Sequence, residues 1–317
     1  MALSTPQAAT LLQQGQVVAI PTETVYGLAA NATNPAAIAQ IYALKGRPSH
    51  NPLISHVVSL QEAEKHGVFN QIARKLAQLF WPGPLTLVVP FNPASGICAD
   101  ARAGLPSVAL RVPSHPTAQA LLRELPFPLA APSANRSGHV SATRPEHIVA
   151  DFGDTLPILG EGPSPLGIES TVISCLPNSP PTLLRPGPLL AEEIERALGQ
   201  PLAHSHASQP ATLHSPGQLA SHYAPKAPVR LNITQLHAGE ALLAFGPGLP
   251  PGHSAQTPTQ NLSPSGNLLE ASQNLYSMLR ALDAQNPTAI AIMPLYGQPA
   301  GMLQTLHNRL TRAATPK

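Results

Sequence analysis

Residues 21–56 read PTETVYGLAANATNPAAIAQIYALKGRPSHNPLISH, and the order of signals within them decides the fold. The apolar stretch Val17-Val18-Ala19-Ile20 stops at Pro21, which lacks the N–H that a ladder needs. A strand therefore ends here, and Thr22, Glu23 and Thr24 are expected at its exposed tip. Asn34-Pro35 starts a helix, with Asn34 as N-cap and Pro35 at the first helical position, and Gly46 ends it. Lys45 and Arg47 flank that glycine, ahead of a second strand. Open α/β sheets bind ligands at their strand ends, so three polar side chains and two cations at one edge form a candidate anion site.

Outward from this segment, apolar periodicity gives helices near residues 5–14, 70–80, 116–124, 145–151 and 190–198 as well as 35–44. They alternate with short strands at 85–89, 107–112, 127–131, 170–174 and 182–185, which argues α/β. Between about 200 and 228 the text QPLAHSHASQPATLHSPGQLASHYAPKAP has no period and many turn residues, and it reads as a linker. Regular structure resumes with strands at 229–233 and 241–245, a Pro/Gly-rich loop, a helix at 267–283, a strand at 289–293 and a helix at 301–313. A small Rossmann-like unit accommodates that order. Gly246-Pro247-Gly248 resembles a dinucleotide loop only superficially, because the spacing is wrong and prolines remove donors.

A chain of 317 residues exceeds the usual single domain, and its hydrophobic content of 43% can supply two cores. Charged residues make up only 11%, against a usual ~25%, so each Lys and Arg is more telling. The 38 prolines signal many loops. A net charge of +2 creates no overall field for nucleic acid, although a local cation cluster can still hold phosphates. Cys98 and Cys175 form neither a CxxC pair nor a disulfide framework and read as small buried hydrophobes. The N-terminus has no basic or long apolar region, and no run of ~20 apolar residues appears, so a soluble cytoplasmic protein with no membrane partner is expected.

No GxxxxGK[ST] loop is present, so any nucleotide has to be held by side-chain cations and strand-end amides. The candidates are Lys45 and Arg47 beside Gly46, Arg111 at the end of Ser107-Val108-Ala109-Leu110, and Arg185 before Pro186-Gly187. Each alone equally fits a solvated strand-end charge. Ala131-Pro132-Ser133-Ala134-Asn135-Arg136-Ser137-Gly138 offers hydroxyls, an amide and a flexible backbone in one turn, and Ile168-Glu169-Ser170-Thr171 places an acid and two hydroxyls at a strand entrance. No G-x-S-x-G elbow supports serine nucleophile chemistry. His204, His206, His214 and His222 match no zinc spacing.

Together the segments PTETVYGL (21–28), KGRPSHNPL (45–53), FWPGPLTLVV (80–89), SVALRVPSHP (107–116), APSANRSG (131–138), GPSPLGIESTV (162–172), LRPGP (184–188), SPG (215–217) and HYAP (222–225) make the chain similar to the threonylcarbamoyl-AMP synthase family in its two-domain form. The resemblance implies a twisted open-sheet YrdC-like catalytic domain over 1–200, a linker over 201–228 that folds across the active site, and a smaller Rossmann-like α/β domain over 229–317. It implies synthesis of threonylcarbamoyl-AMP from L-threonine, bicarbonate and ATP, with Mg²⁺ accompanying ATP and pyrophosphate released. The product serves threonylcarbamoyladenosine formation in tRNA, which brings in tRNA and a downstream threonylcarbamoyl-transferase complex as partners.

By the same resemblance, Thr24, His56, Arg111, the Ala131 backbone and Ser170 bind threonine. Arg47, Asn51, Ser107, Ser133, Ser141, Arg185 and Tyr223 hold ATP. Lys45, Arg47 and Arg111 are the catalytic cations, with Lys45 facing phosphate. The chain departs from the two-domain form at Gln218-Leu219-Ala220-Ser221, where basic and aromatic residues are usual, and weaker ATP retention is expected. The reading from a different class is a non-catalytic RNA-binding module. A duplex binder needs an extended Lys/Arg stripe and a single-strand binder needs stacking aromatics, whereas this chain has 18 Lys and Arg in all and is 4% aromatic.

Overall fold

The computed structural model describes residues 3–204 and 222–315. The chain opens with α1 (Thr5–Gln13), β1 (Val18–Ile20), β2 (Gly27–Asn31), α2 (Pro35–Lys45) and β3 (Ile54–His56). It continues through α3 (Leu60–His66), α4 (Gln71–Phe80), β4 (Leu85–Pro90), β5 (Ser107–Arg111), α5 (Pro116–Glu124) and β6 (Leu129–Ala130). Then come α6 (Pro145–Phe152), β7 (Thr171–Ser174), β8 (Thr182–Arg185), α7 (Ala191–Leu198) and β9 (Ala203–His204). These strands form one mixed sheet in the order β1-β2-β6-β3-β5-β4-β7-β8-β9. The expected α/β class holds.

Strand alternation sorts the sheet into two unlike faces. Leu85, Leu87 and Val89 of β4 and Val108 and Leu110 of β5 pack with Ile38 and Ile41 of α2 and Leu76 of α4 in the main core. Each such burial contributes roughly 1.5–3 kcal/mol. On the other face the register sets Ser107, Ala109 and Arg111 beside Ile54 and His56 of β3 and Val88 of β4. Val172 of β7 lies between Thr86 and Arg185 on that face. Ile54, Val88, Ala109 and Val172 make a small apolar floor. Polar and cationic residues stand around it.

The cap signals around α2 are realised. Asn34 Oδ1 accepts from the N–H groups of Ala36 and Ala37 at 3.0 and 3.3 Å, and Gly46 ends the helix with φ +60°. The segment before it differs from expectation: Thr22, Glu23 and Thr24 are buried, not exposed. After Pro21 the chain does not leave the sheet but returns as β2, pairing Ile20 with Gly27, and the loop is covered when Leu166 N–H donates to the Glu23 carbonyl at 2.8 Å. The expected strand at 127–131 shrinks to Leu129–Ala130, and the linker begins later than residue 201, because Ala203 pairs with Thr182. Gln218-Leu219-Ala220-Ser221, His206 and His214 lie outside the described residues.

The remaining chain forms β10 (Val229–Arg230), β11 (Ala241–Ala244), β12 (Thr259–Asn261), α8 (Leu268–Asp283), β13 (Ile290–Ile292) and α9 (Ala300–Ala314). Its sheet is wholly parallel, in the order β10-β13-β11-β12, as a Rossmann-like unit requires. Val25, Val140, Ile168 and Tyr223 belong to the same apolar cluster as Leu275 and Leu279 of α8 and Leu306 and Leu310 of α9, so the two sheets' bodies share a core. At the seam a Cβ on Gly167 would stand 2.6 Å from the Ser272 carbonyl oxygen and the Gln273 Cα, an approach only glycine allows. Among the described residues no helix is long and apolar enough to cross a membrane.

Candidate active site

The site lies on the polar face, where β3, β5, β7 and β8 meet the loops at 21–26 and 131–135. Arg111, last residue of β5, is 4% exposed. Its Nε donates to the Gly83 carbonyl at 3.3 Å and its Nη1 to Thr24 Oγ1 at 2.8 Å. Thr22 Oγ1 already donates to the Val25 carbonyl at 2.6 Å, so the Thr24 hydroxyl directs its own proton to Thr22 Oγ1 at 2.9 Å. The loop thus holds Thr24 as an acceptor toward arginine. Arg111 Nη2 lies 2.7 Å from Glu23 Oε1 in a buried ion pair. Burial, the largest single influence, would raise the Glu23 carboxyl; the Arg111 charge and the hydrogen bonds to the carboxylate together outweigh it and leave the group below its ordinary range.

His56 stands beside Arg111 in the paired strand, with its Nδ1 lacking a partner. Burial first, and the Arg111 charge second, pull its pKa down to about 3, so the imidazole is neutral. Ser170 Oγ receives Arg185 Nη2 at 3.0 Å and shares a proton with Thr86 Oγ1 at 2.8 Å, while Arg185 Nε donates to the Ser170 carbonyl at 3.0 Å. Arg47 Nε and Nη2 donate to the carbonyls of Asn51 and Pro52 at 3.2 and 3.0 Å. Burial lowers Arg47 to about 10, which still leaves it charged at neutral pH. The Asn51 side-chain amide is buried with no partner on either atom.

One cavity collects Thr24, Arg47, His56, Arg111, Ala131 and Ser133, and beyond them Ser170, Arg185 and Tyr223. Its volume is about 40 Å³. Asn51 and Ser107 are buried behind this set rather than lining it, and Ser141 Oγ donates to Glu169 Oε1, a lining residue. Lys45 corrects the expectation of a phosphate-facing cation. Its Nζ donates to the carbonyls of Ser133 and Asn135 at 2.5 and 2.6 Å, because those turn carbonyls need donors and the helix end places an ammonium next to them. Burial, then the nearby Arg47 charge, push its pKa well down. Lys45 is a strut for the 133–135 turn.

Sequence reading did not find the site's contacts with the second body. Tyr276 on α8 donates to Glu169 Oε2 at 2.9 Å, and Arg309 Nε on α9 does so at 3.0 Å. Nothing local marks either residue, since both occupy the inward stripe of an amphipathic helix. Glu23 and Glu169 were legible only as acids inside polar motifs.

His222, 6% exposed, is also pulled to about 3, chiefly by burial. Unfolded, each histidine titrates near 6.5. The folded state therefore binds fewer protons between about 6.5 and 3, and stability is lost as pH falls through that window. The expected loss is on the order of 1 kcal/mol per pH unit per histidine. Urea unfolding at pH 7 and pH 5 measures it; equal stabilities would show that these imidazoles are not held neutral.

The family described as Telomere recombination, Sua5_yciO_yrdC, matches residues 10–187, and that described as Threonylcarbamoyl-AMP synthase, C-terminal domain, matches residues 189–315. The threonylcarbamoyl-AMP synthase of Bacillus subtilis is 46% identical over 228 residues, 71% of this chain and 65% of the relative. That of Pyrococcus abyssi is 43% identical over 226 residues, 70% of this chain and 66% of the relative. The match thus spans slightly less than two thirds of those curated relatives. The structure of Pyrococcus abyssi Sua5 complexed with L-threonine is similar at a TM-score of 0.85 and 33% identity, covering 98% of this chain and 94% of that one.

Proposed function

Because the chain belongs to the Sua5/YciO/YrdC family and carries the synthase C-terminal domain, we infer that its cavity makes threonylcarbamoyl-AMP from L-threonine, bicarbonate and ATP. The observation that carries this reading is the convergence of Arg47, Arg111 and Arg185 from three distant segments on one cavity. They are 8%, 4% and 4% exposed, which suits a small anionic ligand and withholds them from an RNA strand. The Pyrococcus abyssi relative solved with L-threonine supports the amino-acid half of the assignment.

In this reading Arg111 takes the threonine carboxylate, and Thr24, neutral His56, the Ala131 backbone and Ser170 complete that end. Arg47 and Arg185 face the triphosphate, with Asn51, Ser107, Ser133, Ser141 and Tyr223 around the nucleotide. The threonine amine adds to the carbon of bicarbonate, water leaves, and the carbamate oxygen attacks the α-phosphorus. That P–O bond forms as the bond to pyrophosphate breaks, with the electron pair leaving on pyrophosphate. Fixed guanidinium groups stabilise the charge that develops on the phosphoryl oxygens.

Among the described residues no group of three or more His, Cys, Asp or Glu is placed to hold a metal, and the lining carboxylate Glu169 is already engaged by Ser141, Tyr276 and Arg309. Mg²⁺ would enter with ATP as part of the substrate, where it would neutralise phosphate charge. The product is an acyl adenylate, which fits transfer to tRNA by a partner transferase complex in the cytoplasm. The test is pyrophosphate release by the full chain with each substrate omitted in turn. Release is expected only with ATP, L-threonine and bicarbonate together; release that ignores threonine or bicarbonate rejects the synthase, and RNA retention without turnover favours the binding module.

A further inference from the structure

Glu169 is a single buried carboxylate claimed by both bodies of the molecule. Oε1 accepts from Ser141 on the catalytic side, and Oε2 accepts from Tyr276 and Arg309 on α8 and α9. Arg309 reaches further. Its Nη2 donates to the Pro186 carbonyl at 2.8 Å, one residue beyond Arg185, and its guanidinium carbon lies 5.0 Å from the Tyr223 ring centroid. Tyr223 is stacked on Tyr276 with centroids 5.6 Å apart and planes at 21°. Two side chains of the second body thus touch or brace four separate segments around the nucleotide end, at residues 141, 169, 185–186 and 223. The close approach of Gly167 to Ser272 and Gln273 leaves no slack in that placement.

We propose that Arg309 and Tyr276 are positioning residues of the ATP site, fixing Glu169, the Arg185–Pro186 turn and the Tyr223 ring in one arrangement. The inference rests on the synthase reading above. Charge balance alone does not explain the geometry. A buried ion pair is weak as a source of stability, and an apolar pair of similar volume often replaces it without loss. A planar guanidinium that serves a carboxylate, a carbonyl and an aromatic face at once does what a point charge cannot. The carboxylate-binding part of the threonine end depends instead on Arg111, Thr24 and Glu23, which neither residue contacts, and only Ser170, bonded to Arg185, links the two ends.

The experiment compares wild type, Tyr276→Phe, Glu169→Gln, and Glu169→Gln combined with Arg309→Met, in the full chain. Readouts are thermal stability, ATP affinity by calorimetry without threonine, and KM for ATP and threonine. With residue 169 uncharged, Arg309 has no charge to balance. A charge-balancing role alone then makes Arg309→Met neutral or favourable for both stability and ATP. A positioning role keeps stability level or higher while ATP affinity and KM worsen about tenfold, the equivalent of one lost hydrogen bond to a charged group, with a smaller rise in threonine KM through Ser170. Tyr276→Phe, which preserves the stack and removes only the hydroxyl, is expected to raise the ATP KM several-fold, and it decides the matter should the 169 variants fail to fold. Unchanged ATP binding, or equal rises for ATP and threonine, overturns the proposal. Wild type lacking threonine- and bicarbonate-dependent pyrophosphate release overturns the synthase reading instead.

Discussion

Arg111→Ala is expected to lower threonine- and bicarbonate-dependent pyrophosphate release by ~10²–10³, the usual consequence of deleting one charge-stabilising contact in an active site. Its side chain ties β5 to two other segments, the 21–26 loop through Thr24 and Glu23, and Gly83 before β4. The truncation also leaves Glu23, 5% exposed, as a buried carboxylate without its cation, at an expected cost of about 3–5 kcal/mol. The two effects separate in Arg111→Ala/Glu23→Gln, where thermal stability should largely return and activity should not. The threonine KM should carry most of the damage. A folded Arg111→Ala enzyme with near-normal turnover would remove Arg111 from the site.

Gly187→Ala should be nearly as severe, although it adds only a methyl. An ideal Cβ there would stand 2.4 Å from the Thr171 nitrogen and 2.7 Å from both the Glu169 carbonyl oxygen and the Ser170 carbonyl carbon. All three are backbone atoms, so no side chain can swing aside. Relief requires the 185–187 turn to move off the start of β7, which pulls Arg185 from Ser170 and the Pro186 carbonyl from Arg309. Overpacking of this kind costs about 3 kcal/mol, at the upper end of its usual range. An ångström of misplacement costs ~10² in rate. Gly248→Ala, where a Cβ would meet nothing within 4 Å, is the matched control and should be silent in melting and turnover. Equal behaviour of the two variants would show that the turn tolerates displacement.

The sequence made α2 legible to within a residue, because Asn34, Pro35 and Gly46 act locally at its two ends. It also made most of the cavity legible, since the motifs that carry Thr24, Arg47, Arg111, Ser133 and Arg185 are short and distinct. What escaped depends on direction and on distance along the chain. β2 is the run Gly27-Leu28-Ala29-Ala30-Asn31, poor in β-branched residues, and only pairing with β1 and β6 makes it a strand. β12 hides behind a Pro/Gly-rich stretch. Lys45 stands beside a turn, but a letter does not say which way a side chain points, and its Nζ points to carbonyls. Arg309 and Tyr276 reach Glu169 across more than one hundred residues of chain.

The pleat of β5 places Ser107 and Arg111 on the site face four residues apart, about 13 Å along the strand. In the proposed assignment, the interval between the nucleotide and amino-acid ends is therefore a count of peptide units. Inserting one residue between them would invert every later side chain and drive a guanidinium into the space that Leu110 fills. Inserting two would restore the face but stretch the gap by about 7 Å. Only even insertions would thus keep the guanidinium on this face, and even those would misplace it for the same ligands.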